Sequence, residues 1–244
     1  MGEMCVGIDL GGTFIKFVAT DRQGGASEIF ELPTPADVGH AGLIEQMTRG
    51  AQQAIDDQTA AGNNVIGVGV GSPGPLDLKA GIVLATPNIS GMVNLPLRDM
   101  LSDELGLPVV LENDANAAAY GEYVSGAGKD VDDLVVLTLG TGLGGGVVIG
   151  GELLHGAHEM GAELGHMIIV PDGVPCGCGQ RGCIEQYCSA RFMAERTTAR
   201  IVAESPQTAL NAIIESKGSI DAKDINEARR GGDAFAAEAW DQTA

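Results

Sequence analysis

Residues 4–20 read MCVGIDLGGTFIKFVAT. A short apolar run, a turn of Asp9, Leu10, Gly11, Gly12 and Thr13, and a second apolar run predict two β-strands joined by a glycine turn. The same plan returns at residues 134–153, LVVLTLGTGLGGGVVIGGEL, where the turn holds Thr138, Leu139, Gly140, Thr141 and Gly142. A repeat after roughly 130 residues is too long for a stacked solenoid and predicts two domains of similar plan. The boundary falls near residue 115, giving an N-terminal α/β domain over 1–115 and a C-terminal α/β domain over 116–244.

The segments between the two copies alternate in the same way. Residues 41–61 carry Leu43, Ile44, Met47, Ala51, Ala54 and Ile55 at helical spacing. VIGVGVGSPGPLD, residues 65–77, predicts a buried strand running into a glycine and proline loop. LPLRDMLSDELG, residues 95–106, predicts an amphipathic helix closed by Gly106. LPVVLEND predicts another strand, and DANAAAYGEYVSG starts a helix at its end. After Cys188 the pattern is helical, in residues 189–204 and again in 231–244, where the sequence stops inside the second pattern.

A chain of 244 residues can bury a substantial core. The formal net charge of −19 argues against nucleic acid or an anionic membrane as a partner, because phosphates would be repelled. No apolar run approaches the ~18 residues of a membrane span, and the N-terminus lacks the basic start and apolar core of a signal peptide. The expected compartment is the cytoplasm. Five cysteines in a reducing compartment point to metal binding more than to disulfides.

Glycine and threonine turns expose backbone N–H groups without side chains in the way, which suits phosphate oxygens. Two such turns would hold one nucleotide's phosphates from both sides. Asp9, an acid, belongs there only with a Mg²⁺ held through water, and Lys16 on the return strand adds positive charge. Taken singly, each turn fits an ordinary hairpin. Neither is a P-loop, and GTGLGG is followed by a strand where a dinucleotide fingerprint requires a helix. Asn113 and Asp114 stand at a strand-to-helix junction, the end of a strand at which α/β folds bind ligands. Asp114 fits two roles, a helix N-cap and a general base taking a hydroxyl proton. Asn88, in the loop TPNI, is a further polar candidate or plain turn chemistry.

GAELGHMIIVPDGVPCGCGQRGCIEQYCSA, residues 161–190, concentrates the metal-ligating side chains. Cys176, Cys178 and Cys183 supply three thiolates and His166 an imidazole, a set that closes a tetrahedral structural zinc site with no open position. A Cys-x-Cys pair is a poor ordinary disulfide. Cys188 and Cys5 are expected as free core thiols. Glu163 and Glu185 flank the ligands, so a pinned loop would hold both carboxylates in place as acceptors for hydroxyl donors. Without a metal both would be ordinary surface glutamates.

Together these motifs resemble the ROK family of sugar kinases, in the actin-like ATPase superfamily, and look most like its bacterial glucokinases. GIDLGGTFIK resembles the first phosphate motif, LENDANAAA the catalytic motif, LTLGTGLGGGVV the second phosphate motif, and GAELGHM with CGCGQRGCIEQYCSA the zinc and sugar motif. The resemblance implies a two-domain α/β fold of the actin-like ATPase, ribonuclease H-like type. It implies transfer of phosphate from ATP to a hexose, with Asp114 as base and Asn88, Asn113, Asp114, Glu163, His166 and Glu185 on the sugar. Gly11, Gly12, Thr13, Lys16, Gly140, Thr141 and Gly142 would line the ATP phosphates, with Asp9 near Mg²⁺. His166, Cys176, Cys178 and Cys183 would bind structural Zn²⁺. Glucose is the first substrate; N-acetylmannosamine, N-acetylglucosamine, fructose or allose are alternatives, as are a regulatory sugar binder without catalysis and polyphosphate or ADP as donor. A homodimer or homotetramer follows from the family. Family members continue past the point where this sequence stops, so the sequence is expected to be either a fragment of a longer protein or a truncated form, its second domain lacking the adenosine-binding segment.

Overall fold

The computed structural model describes residues 2–35, 39–86, 89 and 92–243. Strand β1 (Glu3–Leu10) and β2 (Phe14–Asp21) form the first hairpin, followed by β3 (Phe30–Pro33) and helix α1 (Gly39–Ala60). Then come β4 (Asn64–Ser72), three short strands β5 (Leu76–Asp77), β6 (Ile82–Ala85) and β7 (Val93–Leu95), α2 (Leu97–Leu105), β8 (Val109–Asn113) and α3 (Asp114–Ser125). The second hairpin is β9 (Leu134–Leu139) and β10 (Leu143–Ile149), extended by β11 (Glu152–Leu153). A short 3-10 turn, Leu164–His166, precedes helices α4 (Glu185–Cys188), α5 (Ala190–Glu204), α6 (Leu210–Lys217), α7 (Ala222–Arg230) and α8 (Ala234–Asp241).

Five strands make one sheet in the order β3-β2-β1-β4-β8. β1 runs antiparallel to β2 and parallel to β4, and β4 runs parallel to β8. The carboxyl ends of β1, β4 and β8 therefore lie side by side. Alternation along the hairpin buries Val6, Ile8 and Leu10 from one strand and Ile15, Phe17 and Ala19 from the other, each 3% exposed or less. Their face packs on the apolar stripe of α1, Leu43, Ile44, Met47, Ala51 and Ala54. Gly50 lies in that stripe because the Phe17 ring occupies the place of a side chain: a Cβ there would stand 2.6 Å from Phe17 Cε1. The same alternation puts Cys5 on the other face of β1, with Gly7 and Asp9, so Cys5 is exposed and not the core thiol expected. Cys188 is half-buried, and all five cysteines are free thiols.

The chain divides into two compact units, Met1–Val136 with Gly146–Ala162 and Leu137–Gly145 with Glu163–Ala244. In the second unit Met193, Ile201, Leu210, Ile220, Ile225 and Ala236 form a separate core among α5 to α8. Two of those helices, α6 and α7, fall between the two helical stretches that the sequence pattern predicted. Among the described residues no helix is long and apolar enough to cross a membrane.

Candidate active site

In the first unit the glycine turn between β1 and β2 is tight. Gly11 donates its N–H to the Phe14 carbonyl at 3.1 Å, and a Cβ at Gly11 would stand 2.7 Å from that oxygen. This commits the Gly11 amide, and the next two residues, Gly12 and Thr13, are both exposed. Thr34, just after β3, braces the turn from outside. Its hydroxyl donates to the Gly11 carbonyl at 2.6 Å and its N–H to the Thr13 carbonyl at 2.9 Å. Asp9 and Lys16, register partners across the hairpin, form an ion pair at 3.7 Å with both side chains about half exposed. Such a pair is weak and readily opened by a competing ligand.

Asp114 follows β8 directly. Asn113, in extended conformation, is the helix N-cap: its side chain accepts the N–H groups of Ala115 and Asn116 at 3.0 and 3.1 Å. The structure thus relieves Asp114 of the capping role. With its oxygen used, Asn113 has an amide nitrogen that meets no acceptor among the described residues. Asp114 has an open face to solvent, but the protein packed behind it withholds water from the carboxylate and raises its pKa. The N–H of Ala115, 2.8 Å from Asp114 Oδ1, works the other way, and the negative charge of Asp9 raises the pKa again. Water at the open face screens part of this effect. Asp9, Asn113 and Asp114 are thus gathered at the carboxyl ends of the parallel strands, as the strand pattern implied.

Two residues that no local pattern marks complete this end. Glu112 accepts from its neighbour's N–H at Asn113 (2.8 Å), from Asn116 Nδ2 (3.1 Å) and from His155 Nε2 (2.7 Å). His155 lies in the loop after β11, 43 residues away, so only the fold brings the pair together.

In the second unit the donor atoms of His166, Cys176, Cys178 and Cys183 all lie within 4.8 Å of one another. Cys176 Sγ is 3.5 Å from His166 Nδ1, and Cys178 Sγ is 3.7 Å from Cys183 Sγ. A tetrahedral zinc with Zn–S near 2.3 Å places neighbouring sulfurs about 3.8 Å apart, so the cluster fits the ion expected. The loop is shaped for it by a tight hairpin: Cys176 N–H donates to the Gln180 carbonyl and Gly179 N–H to the Cys176 carbonyl, with Gly179 and Gly182 at φ of 90° and 80°. Burial and the adjacent Cys176 and Cys178 push the Cys183 thiol up to about 12, whereas the Gln180 N–H lowers the pKa of exposed Cys178. A bound cation would favour the thiolate forms that this crowding otherwise resists. His166 turns Nδ1 toward the cluster, which leaves Nε2 for a hydroxyl.

The second glycine turn belongs to the same unit as this loop. Gly140 donates to the Gly142 carbonyl, and its own carbonyl accepts from Ala190 at the start of α5. Glu185 Oε2 accepts the Leu143 N–H at 3.0 Å, and a Cβ at Gly142 would stand 2.5 Å from that carboxylate oxygen. Glu185 is therefore fastened to the turn through one carboxylate oxygen. Glu163 is exposed two residues before buried Gly165, and the 3-10 turn holds it beside His166. Of the residues singled out in the sequence, Asn88 lies outside the described residues. Thr34, Glu112, His155 and Gly165 are additions of the structure.

A family model described as ROK family matches residues 5–244. The glucokinase of Halalkalibacterium halodurans is 36% identical over 240 residues, covering 98% of this chain and 72% of that protein. The glucokinase of Thermotoga maritima is 39% identical over 241 residues, covering 95% and 71%. Among solved structures, a ROK family glucokinase from Streptomyces griseus in complex with glucose and AMPPNP matches with a TM-score of 0.81 and 39% identity, over 98% of this chain and 75% of that one.

Proposed function

Since the chain belongs to the ROK family and has its actin-like ATPase fold, we propose that it is an ATP-dependent glucokinase, which transfers the γ-phosphoryl group to a glucose hydroxyl. The likeness to glucokinases over nearly the whole chain supports the substrate and the donor. The single observation that carries the chemistry is Asp114: a carboxylate at a strand end, relieved of capping by Asn113, with its proton affinity raised. A base of raised pKa is better matched to taking a hydroxyl proton at neutral pH than an ordinary surface carboxylate.

In this reading residues 1–115 bring the base and the first phosphate turn, and residues 116–244 the second turn and the cysteine loop. Asp114 accepts the proton of the attacking hydroxyl. Asn113 donates through its amide nitrogen, and Glu163, Glu185 and His166 Nε2 accept or orient the remaining hydroxyls, with Asn88 a further contact. The amides of Gly12 and Thr13 and of Thr141 and Gly142 meet phosphate oxygens, while Gly11 and Gly140 shape the turns. Lys16, released from Asp9, adds positive charge. Asp9 would hold a Mg²⁺, which supplies charge neutralisation on the phosphates. A Zn²⁺ held by His166, Cys176, Cys178 and Cys183 would fix the loop between Glu163 and Glu185. The reading includes a cytoplasmic homodimer or homotetramer with no nucleic-acid or membrane partner, which sedimentation tests directly.

Asp114→Asn tests the base. Removal of a general base lowers rate by about 10²–10⁴-fold. A coupled assay of ADP release should show that loss while calorimetry shows glucose affinity within about twofold of wild type. Undiminished turnover would remove Asp114 from the chemistry.

A further inference from the structure

The loop after β11 is tied down more firmly than a connection requires. Leu154 donates to Val147, and His155 reaches Glu112 at 2.7 Å. Glu159 Oε2 accepts the Leu78 N–H at 2.6 Å, and Gly161 N–H closes back onto the His155 carbonyl at 2.8 Å. Glu159 and Ala162 both sit in the left-handed region, at φ of 59° and 64°. Non-glycine residues persist there only where surrounding contacts over-determine them, and such strain gathers at functional sites.

We infer that residues 154–162 form a strap, and that the His155–Glu112 pair positions the catalytic end of β8. Glu112 is the shared node. One oxygen fixes the N–H of Asn113 and the side chain of Asn116, and the other takes His155. A carboxylate oxygen accepts, so His155 Nε2 is the donor. The N–H of Asn113, one residue before Asp114, is thereby held by a carboxylate that His155 itself fixes. His155 acts through Glu112 and touches no reacting atom, so both are positioning residues. The strap then continues along the chain into Glu163, eight residues after His155.

This inference rests on the kinase reading, so the test has a readout independent of turnover. His155→Ala removes the donor, and His155→Gln places an amide nitrogen near the lost Nε2. With glucose and Mg-ATP, His155→Ala should lower kcat about tenfold while KM for Mg-ATP stays within twofold, and His155→Gln should recover most of the loss. In Glu112→Ala the further change His155→Ala should add less than twofold, since the two act as one. Hydrogen exchange on the unliganded protein should quicken at Asn113, Ala115 and Asn116 in His155→Ala and return in His155→Gln. Equal kcat for wild type and His155→Ala would overturn the inference, as would equal losses for the alanine and glutamine variants. Unchanged exchange at those amides would overturn it even if Glu112→Ala fails to fold. Should the wild-type protein not phosphorylate glucose, the kinase reading fails while the exchange experiment still decides the clamp.

Discussion

Gly165→Ala adds one methyl group to the turn that carries Glu163 and His166. Gly165 is buried, and a Cβ built on it overlaps the Leu143 carbonyl oxygen, with the carbonyl carbon at 3.0 Å and Leu143 Cβ at 3.3 Å. Backbone atoms cannot turn aside as a flexible side chain can. The 3-10 turn must shift by roughly 1 Å, a misplacement that costs on the order of 10²-fold in rate when it moves binding groups. The shift is not isolated, because Leu143 N–H holds Glu185. Three of the proposed sugar contacts, Glu163, His166 and Glu185, move with one methyl. The expected loss in kcat/KM for glucose is about 100-fold, or about 2.7 kcal/mol of transition-state stabilisation. Overpacking should cost stability about 1–3 kcal/mol, short of the ~5–15 kcal/mol that holds a domain folded. Gly177→Ala is the control: it lies in the same loop, yet among the described residues no atom stands within 4 Å of its Cβ. The assay is glucose-dependent ADP release, with melting temperature and metal content measured on the same preparations. A folded Gly165→Ala protein with wild-type kinetic constants would refute the crowding argument.

Three further outcomes follow from the same contacts. Thr34→Val, which loses the hydroxyl on Gly11 and keeps the shape, should raise KM for Mg-ATP roughly fivefold, from about 1 kcal/mol for the bond, with Thr34→Ser near wild type; equal KM values for both variants would dissociate Thr34 from the phosphate turn. Cys178→Ser should abolish stoichiometric zinc by mass spectrometry and lower the melting temperature, and a strong chelator should do the same to the wild type; a metal-free wild-type protein of unchanged melting temperature would contradict the structural role. The raised pKa of Asp114 sets an acid limb in kcat/KM above the ordinary carboxylate range, since activity is lost as pH falls through that pKa. For stability the sign is opposite to that of a salt-bridged acid: the folded state holds this proton more tightly than the unfolded chain. The ionised group is therefore a cost at neutral pH that fades as pH falls through the folded pKa. Asp114→Asn should then melt higher than wild type at neutral pH, with the gap closing in acid; a gap that widens in acid would show the shift to have the other sign.

The parts of the fold that were legible in the sequence are those whose cause is local. The two strand-turn-strand copies, the stripe of α1 and the spacing of the cysteines each depend on residues within a few positions of one another, and all appear where expected. The strands β5 to β7 hold only two to four residues each, too few for a period-two pattern to emerge from a glycine and proline background. The cap at α3 turned on a single position: Asn113 and Asp114 are both good caps, and only the extended backbone of Asn113 selects it. The contacts that organise the site span long separations, 23 residues from Thr34 to Gly11, 42 from Leu143 to Glu185 and 43 from Glu112 to His155. No periodicity encodes such a pair. The glycine turns show the limit most sharply. Gly11 and Gly140 each commit their own N–H inside the turn, so any amide offered to a phosphate has to come from a residue that follows them. The glycine that makes each turn possible and the amides proposed to meet a phosphate are therefore different residues. Which is which depends on where Phe14 and Gly142 return their carbonyls, and that is decided by the pairing of strands.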